Sequence, residues 1–216
     1  MSQGQLVRRA GVLVLAGMLA LAPGGCAFVV KEVFSRGLQD RTGEEQIYDA
    51  GIFSRFTRKI EKINPDLLFD LNVDVWRGRV MLTGLMDDPV LWERLVRVIK
   101  EDGQARRIYN EILIVPNKEK GNLEPVLPPS QQLKDYLVEM DVKVRLFSDD
   151  DVKSVNYHLR SVRNRIYIIG YSRSAIERRR VLRLIREVNG VNEVKDFISI
   201  APAGKYYAGK KQSAKP

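Results

Sequence analysis

Apolar residues recur along this chain in two interleaved periods. Leu71, Val73 and Val75 alternate with polar neighbours, as do Val80 and Leu82, so each run predicts a strand. Arg77-Gly78 stands between the runs, and Gly tolerates the positive φ of a tight hairpin turn. Gly84 is expected to end the second strand. A helix follows, with Pro89 in its first turn and Leu91, Leu95, Val98 and Ile99 on its buried face. Gly103 is its expected C-terminal cap. Ile108, Ile112 and Ile114 predict a last strand. Ahead of these elements, Ile52, Phe56 and Ile60 mark a further helix.

The same order returns downstream. Val80 and Gly84 match Ile166 and Gly170, and Ile108, Ile112 and Ile114 match Val194, Ile198 and Ile200, all at an offset of 86 residues. Gly103 and Gly190 match at 87, so a small insertion and a deletion separate the copies. Arg163-Asn164 replaces the Arg-Gly turn. Ser174 is placed to cap the second helix, and Ile176, Val181, Leu184, Ile185 and Val188 are expected to bury it. Gly190 is its expected C-cap, and Phe197 joins the last strand. Val138, Val142 and Leu146 predict the leading helix, again 86 residues after their counterparts. The fold class is therefore α+β: two tandem α-β-β-α-β modules, each a small three-stranded mixed sheet with two helices packed on it. Module one is expected over 45–120 and module two over 130–201, with a linker at 121–129 holding three prolines. The tail, 202–216, carries four lysines and no apolar period and reads as disordered.

The first residues read as an address. Arg8-Arg9 precede thirteen uncharged residues, Ala10 to Ala22, too few to span a bilayer and enough for a signal peptide. Ala22-Pro23-Gly24-Gly25-Cys26 resembles a lipobox, although Pro23 stands where leucine is usual. Residues 1–25 are then a lipoprotein-type signal, Cys26 is the lipidation site, and 26–44 link it to module one. Ala27, rather than an aspartate, implies the outer membrane as destination, with the chain facing the periplasm. The alternative is cleavage after Ala20-Leu21-Ala22 and a soluble periplasmic protein.

Composition narrows the chemistry. Hydrophobic content of 44% with 29% charged residues is globular. Net charge is +9, and about +7 once Arg8 and Arg9 are removed, which favours anionic partners. With one cysteine and one histidine, a disulfide framework and a cysteine-rich zinc site are excluded. His158 is expected to have no functional role. Asp149-Asp150-Asp151 lacks the spacing of a calcium loop and reads as a solvated turn with capping aspartates. Glu44-Glu45 and Asp87-Asp88 read as helix-start charges. No catalytic, metal or cofactor site is expected, and no enzyme.

Each copy resembles a BON domain, the small α/β module of bacterial envelope proteins. Val73–Gly84 carries V-x-V-x-x-G-x-V-x-L-x-G. Gly190-Val191 supplies the late glycine and valine, and Ile108-Tyr109-Asn110-Glu111-Ile112 the closing strand. The resemblance covers roughly residues 45–201. Arg163-Asn164 departs from the family's usual Asp/Glu/Asn-Gly, and Arg160, Arg163 and Arg165 make that hairpin unusually basic. Membership implies a binding module without known catalysis. A lipoprotein signal followed by two such domains resembles double-BON outer-membrane lipoproteins of Gram-negative bacteria. That resemblance implies binding of anionic phospholipid through the first helix of the second module, and support of outer-membrane integrity.

That helix carries more apolar surface than one core requires. Leu133, Leu137, Met140, Val144 and Phe147 form a second stripe, with Tyr136 beside it and Lys134, Lys143 and Arg145 nearby. Copy one has fewer extras, mainly Ile47 and Phe53. The excess must meet the other module, lipid, or another chain. By the resemblance, Leu137 falls where the family places a bulky lipid-contacting residue. The candidate phospholipid-binding set is Leu133, Lys134, Tyr136, Leu137, Met140, Lys143, Val144 and Phe147. Envelope proteins or peptidoglycan are further candidate partners, and nucleic acid is not expected. The densest basic run, Arg178-Arg179-Arg180 with Arg183 and Arg186, reads first as a solvated helix face. Its functional reading is phospholipid or peptidoglycan. Trp76 and Trp92 are expected to pack at module edges rather than anchor in an interface. The rival function is a protein-interaction or chaperone-like role in the periplasm, with the extra stripe holding another chain.

Overall fold

The computed structural model describes residues 39–115 and 129–200. The signal segment, Cys26 and the tail lie outside them. All the elements below belong to one compact unit that begins at Asp40. Module one consists of α1 (Gly43–Ile63), α2 (Leu67–Asp70), β1 (Leu71–Trp76), β2 (Arg79–Met86), α3 (Pro89–Lys100) and β3 (Arg107–Ile114). Module two repeats this with α4 (Pro129–Phe147), a 3-10 turn at Ser154–Asn156, β4 (Tyr157–Val162), β5 (Arg165–Ser172), α5 (Ala175–Arg186) and β6 (Glu193–Ile200). In each, an antiparallel hairpin pairs with a parallel third strand reached through a helix, which gives the expected mixed sheet.

Helix starts follow the local chemistry. Thr42 and Glu45 close a capping box on α1, Asp88 caps α3 with Pro89 behind it, and Ser174 caps α5. Arg77 and Gly78 both take positive φ, as do Arg163 and Asn164, so both hairpins turn tightly. Each turn is held by a buried carboxylate from the module's first helix. Asp49 accepts from the backbone N–H of Arg77 and of Gly78, both at 2.7 Å. Asp135 accepts from Arg163 and Asn164, both at 2.8 Å. Asn164 takes the positive φ that Gly78 takes in the first turn, a conformation asparagine tolerates better than most residues.

Three local expectations are corrected. Gly84 and Gly170 lie inside their strands, two residues from the ends. Backbone crosses there: a Cβ on Gly84 would sit 2.1 Å from the Asp70 carbonyl, and one on Gly170 would sit 2.3 Å from that of Asn156. Gly103 is not a left-handed cap, since only Gly78, Gly84 and Gly190 among the described glycines have positive φ. Ile176 is 70% exposed. The Ser174 cap turns Glu177 inward instead, where it accepts from the backbone of Lys153 and Arg173, and Leu182 takes the core position.

Each sheet buries one face under its two helices. Val73, Val80 and Leu82 meet Phe56 and Leu95 in module one; Leu159, Ile166 and Ile168 meet Val142 and Ile185 in module two. The opposite faces pack on each other. Trp76, Met81 and Leu85 join Val162, Tyr167 and Ile169 in a third core, with Tyr109 stacked on Phe197 at 4.2 Å. The result is four layers, helices–sheet–sheet–helices, which is why β2 and β5 are apolar on both faces.

Candidate functional site

The sheet-to-sheet seam contains polar contacts that the sequence did not reveal, among them those of Asp74 and Arg79, which it did not single out. Arg160 donates two bonds to Asp74, at 2.9 and 3.2 Å. His158 Nδ1 lies 3.6 Å from the same carboxylate, and its ring meets Trp76 edge-on. Burial would push Asp74 up; the neighbouring His158 ring and the hydrogen-bonded Arg160 charge outweigh it and hold the carboxyl below its ordinary value. Arg79 reaches across to the carbonyls of Phe197 and Gly170, both at 2.6 Å, and to Ser199 Oγ at 3.0 Å. Asp40 joins Lys153 at 2.5 Å and Asn156 at 2.8 Å. These contacts are structural. Trp76 is fully buried at the seam and Trp92 half-buried against the first core, so neither is an interfacial anchor. The three aspartates form a turn in which Asp149 and Asp151 bind Arg180. Among the described residues no cluster of three metal-ligating side chains occurs.

The second stripe of α4 takes no part in the seam. The modules meet through their sheets, so inter-module packing of the stripe, one of the sequence expectations, is overturned. Val138, Val142 and Leu146 face the sheet. Half a turn away, Leu133, Leu137 and Val144 are each more than half exposed and Phe147 is 79% exposed, with Met140 and Tyr136 beside them. Lys134 is exposed in the same region. Lys143 pairs with Glu139 at 2.6 Å and Arg145 with Asp141 at 3.4 Å, both one turn apart. Such exposed pairs are weak, about 0.3–0.5 kcal/mol, and re-pair easily. Over its length α4 has three basic and three acidic residues and is neutral.

The repeat provides an internal control. Positions 133, 137, 140, 144 and 147 correspond, at the offset of 86, to Ile47, Gly51, Ser54, Arg58 and Glu61 of α1. The same fold therefore forms with a first helix whose corresponding row has only Ile47 as a large apolar residue. Burial does not account for the apolar row of α4. Among the described residues no helix is long and apolar enough to cross a membrane.

The BON domain model matches residues 54–116 and 134–202, one match on each module. The chain belongs to the BON domain family. Membership points to an envelope-associated or phospholipid-binding function and to a family that is generally non-enzymatic. Among curated proteins, an "uncharacterized protein in gshII 5'region" of Anaplasma centrale is 26% identical over 154 residues, spanning 71% of this chain and 95% of that protein. Two solved structures of CdsD, described as a structural protein of the type III secretion system of Chlamydia trachomatis, also align. One covers 68% of this chain and 92% of its own, at 14% identity and a TM-score of 0.29. The other, the CdsD C-terminal domain, covers 67% and 96% at 14% identity and a TM-score of 0.30.

Proposed function

We propose that this BON protein is a non-enzymatic envelope lipoprotein, anchored in the outer membrane through Cys26 and facing the periplasm. Its second module binds anionic phospholipid, and the protein supports outer-membrane integrity. The carrying observation is the exposed row of α4, which neither core nor seam uses and which the equivalent helix of module one lacks. Leu133, Leu137, Met140, Val144 and Phe147 enter the acyl boundary, Tyr136 sits at headgroup level, and Lys134 and Lys143 meet phosphate. The surface contact would add to the acyl anchor and hold module two against the headgroups.

The test is co-sedimentation of the non-acylated chain, residues 27–216, with vesicles of phosphatidylcholine and of phosphatidylcholine containing phosphatidylglycerol. Binding that Leu137→Glu removes, with an unchanged melting temperature, supports the reading. Absence of binding to both vesicles overturns it and moves the stripe to a protein partner in the periplasm. Labelled palmitate incorporated in cells by the wild type and not by Cys26→Ser tests the anchor; equal labelling, or none in either, overturns it.

A further inference from the structure

The apolar row explains attachment to lipid but leaves a gap: α4 is neutral, and two of its three cations are held by its own carboxylates. Further cations that would favour an anionic surface stand on the neighbouring helix. α4 and α5 lie side by side on one face of one sheet, joined in a single core by Val138, Val142, Val181 and Ile185. Their outward faces therefore look the same way, about 8–10 Å apart as packed helices are. Half a turn from Val181 and Ile185, α5 presents Arg179, Arg183 and Arg186, all exposed.

The basic residues off this row are neutralised in place. Arg178 pairs with Asp196, and Arg180 with Asp149 at 2.7 Å. On the row, Arg183 has one loose contact with Glu187 at 3.9 Å, and Arg179 and Arg186 have no ion pair among the described residues. The repeat again serves as a control. The equivalent row on α3 is Glu93, Arg97 and Lys100, of mixed sign. Residues 130–200 carry fourteen Lys and Arg against ten Asp and Glu, whereas residues 45–115 carry eleven against twelve.

We infer that Arg179, Arg183 and Arg186 on α5 read the phosphates of anionic lipids while the adjacent α4 inserts its apolar row, so that one two-helix surface of module two both holds a membrane and selects its charge. This rests on the membrane reading of α4 and assigns its selectivity to a different helix. Charge complementarity commits the surface to a lipid bilayer: an apolar row beside exposed guanidinium groups, of which only Arg183 has a loose ion pair, matches acyl chains beside phosphate. Guanidinium groups suit phosphate because they bind it with two parallel N–H bonds.

The test compares the non-acylated chain with the triple variant R179Q/R183Q/R186Q on vesicles with and without about one third phosphatidylglycerol. A basic residue close to an anionic surface raises partitioning about fivefold. The triple variant is expected to lose roughly twenty- to a hundredfold on anionic vesicles, the lower figure allowing for Glu187, and nothing on neutral ones. Salt should weaken wild-type binding to anionic vesicles and barely affect the variant. R97Q/K100Q, the same change on α3, should match the wild type. Undiminished preference for anionic vesicles in the triple variant overturns the inference while Leu137→Glu still tests the stripe. Equal wild-type binding to both vesicles also overturns it and leaves the stripe reading standing. Binding of soluble polyphosphate through these arginines without vesicle preference overturns it as well. Failure of the wild type to bind either vesicle removes both readings together.

Discussion

Asp74→Asn should loosen the contact between the two modules. The side chain is almost fully buried, and it accepts from Arg160 at 2.9 and 3.2 Å with His158 at 3.6 Å. At about 3 Å and an effective dielectric of about 20, the gross attraction is roughly 5 kcal/mol. Desolvation of Asp74 offsets most of it, so the intact pair adds little net stability. Removing one partner is different, because Arg160 then keeps a charge in the seam with only the more distant Glu139 to offset it. Fully buried pairs cost about 3–5 kcal/mol when broken this way. Arg160 is 35% exposed, so water recovers part of the loss and about 2–3 kcal/mol is expected. Urea unfolding of the wild type, D74N, R160Q and the double variant measures this. The double variant should be more stable than the two single losses predict, since it leaves no orphan charge. The sign with pH follows from the depressed carboxyl. Its stabilisation is present above the ordinary value of 3.8 and is lost as pH falls through the lower native value. The acid limb of the stability profile should therefore be shallower in D74N. A loss below about 0.5 kcal/mol for D74N, or strict additivity with R160Q, would refute the coupling.

Further outcomes follow from other contacts. Gly170→Ala places a methyl 2.3 Å from the Asn156 carbonyl and 3.0 Å from Tyr157 Cα, both backbone atoms that cannot swing away. Calorimetry should show a loss of about 2–3 kcal/mol, or roughly 5–10 °C in melting temperature, and an unchanged melting point would contradict the close approach. Asp135→Ala strips the acceptor from two turn amides and from the Ser161 hydroxyl, so denaturation should report about 2–4 kcal/mol, with Asp49→Ala the parallel case in module one. Asp102 is lowered from 3.8 to about 2: burial works against this, and the Lys59 hydrogen bond and the amides of Ala105 and Gln104 overcome it. The advantage of the wild type over D102N should be full above about pH 4 and shrink between about pH 4 and pH 2; a constant difference across that window would show that the carboxylate is not so held.

Much of this molecule is local and was therefore readable from the chain. The strand alternation around Val73 and Val80 and the caps at Asp88 and Ser174 depend on neighbours within a turn or a pleat, and the 86-residue repeat shows them twice. They determine two copies of one α+β module and the order of elements within each. The excess apolar surface of α4 was also legible, because one core face cannot use both stripes. What the chain alone left open was which excess meets which. Trp76, Met81, Tyr167 and Ile169 and the row Leu133, Leu137, Met140, Val144 and Phe147 are both surplus to a single core, and only the packing separates them. The first set is spread over flat sheet faces that fit each other, and so closes the seam. The second projects from the far side of a helix, where among the described residues nothing of the same chain covers it. The partners of Asp74 and Arg79 were invisible for the same reason. They lie 84 or more residues away, and a long-range contact leaves no period in the sequence.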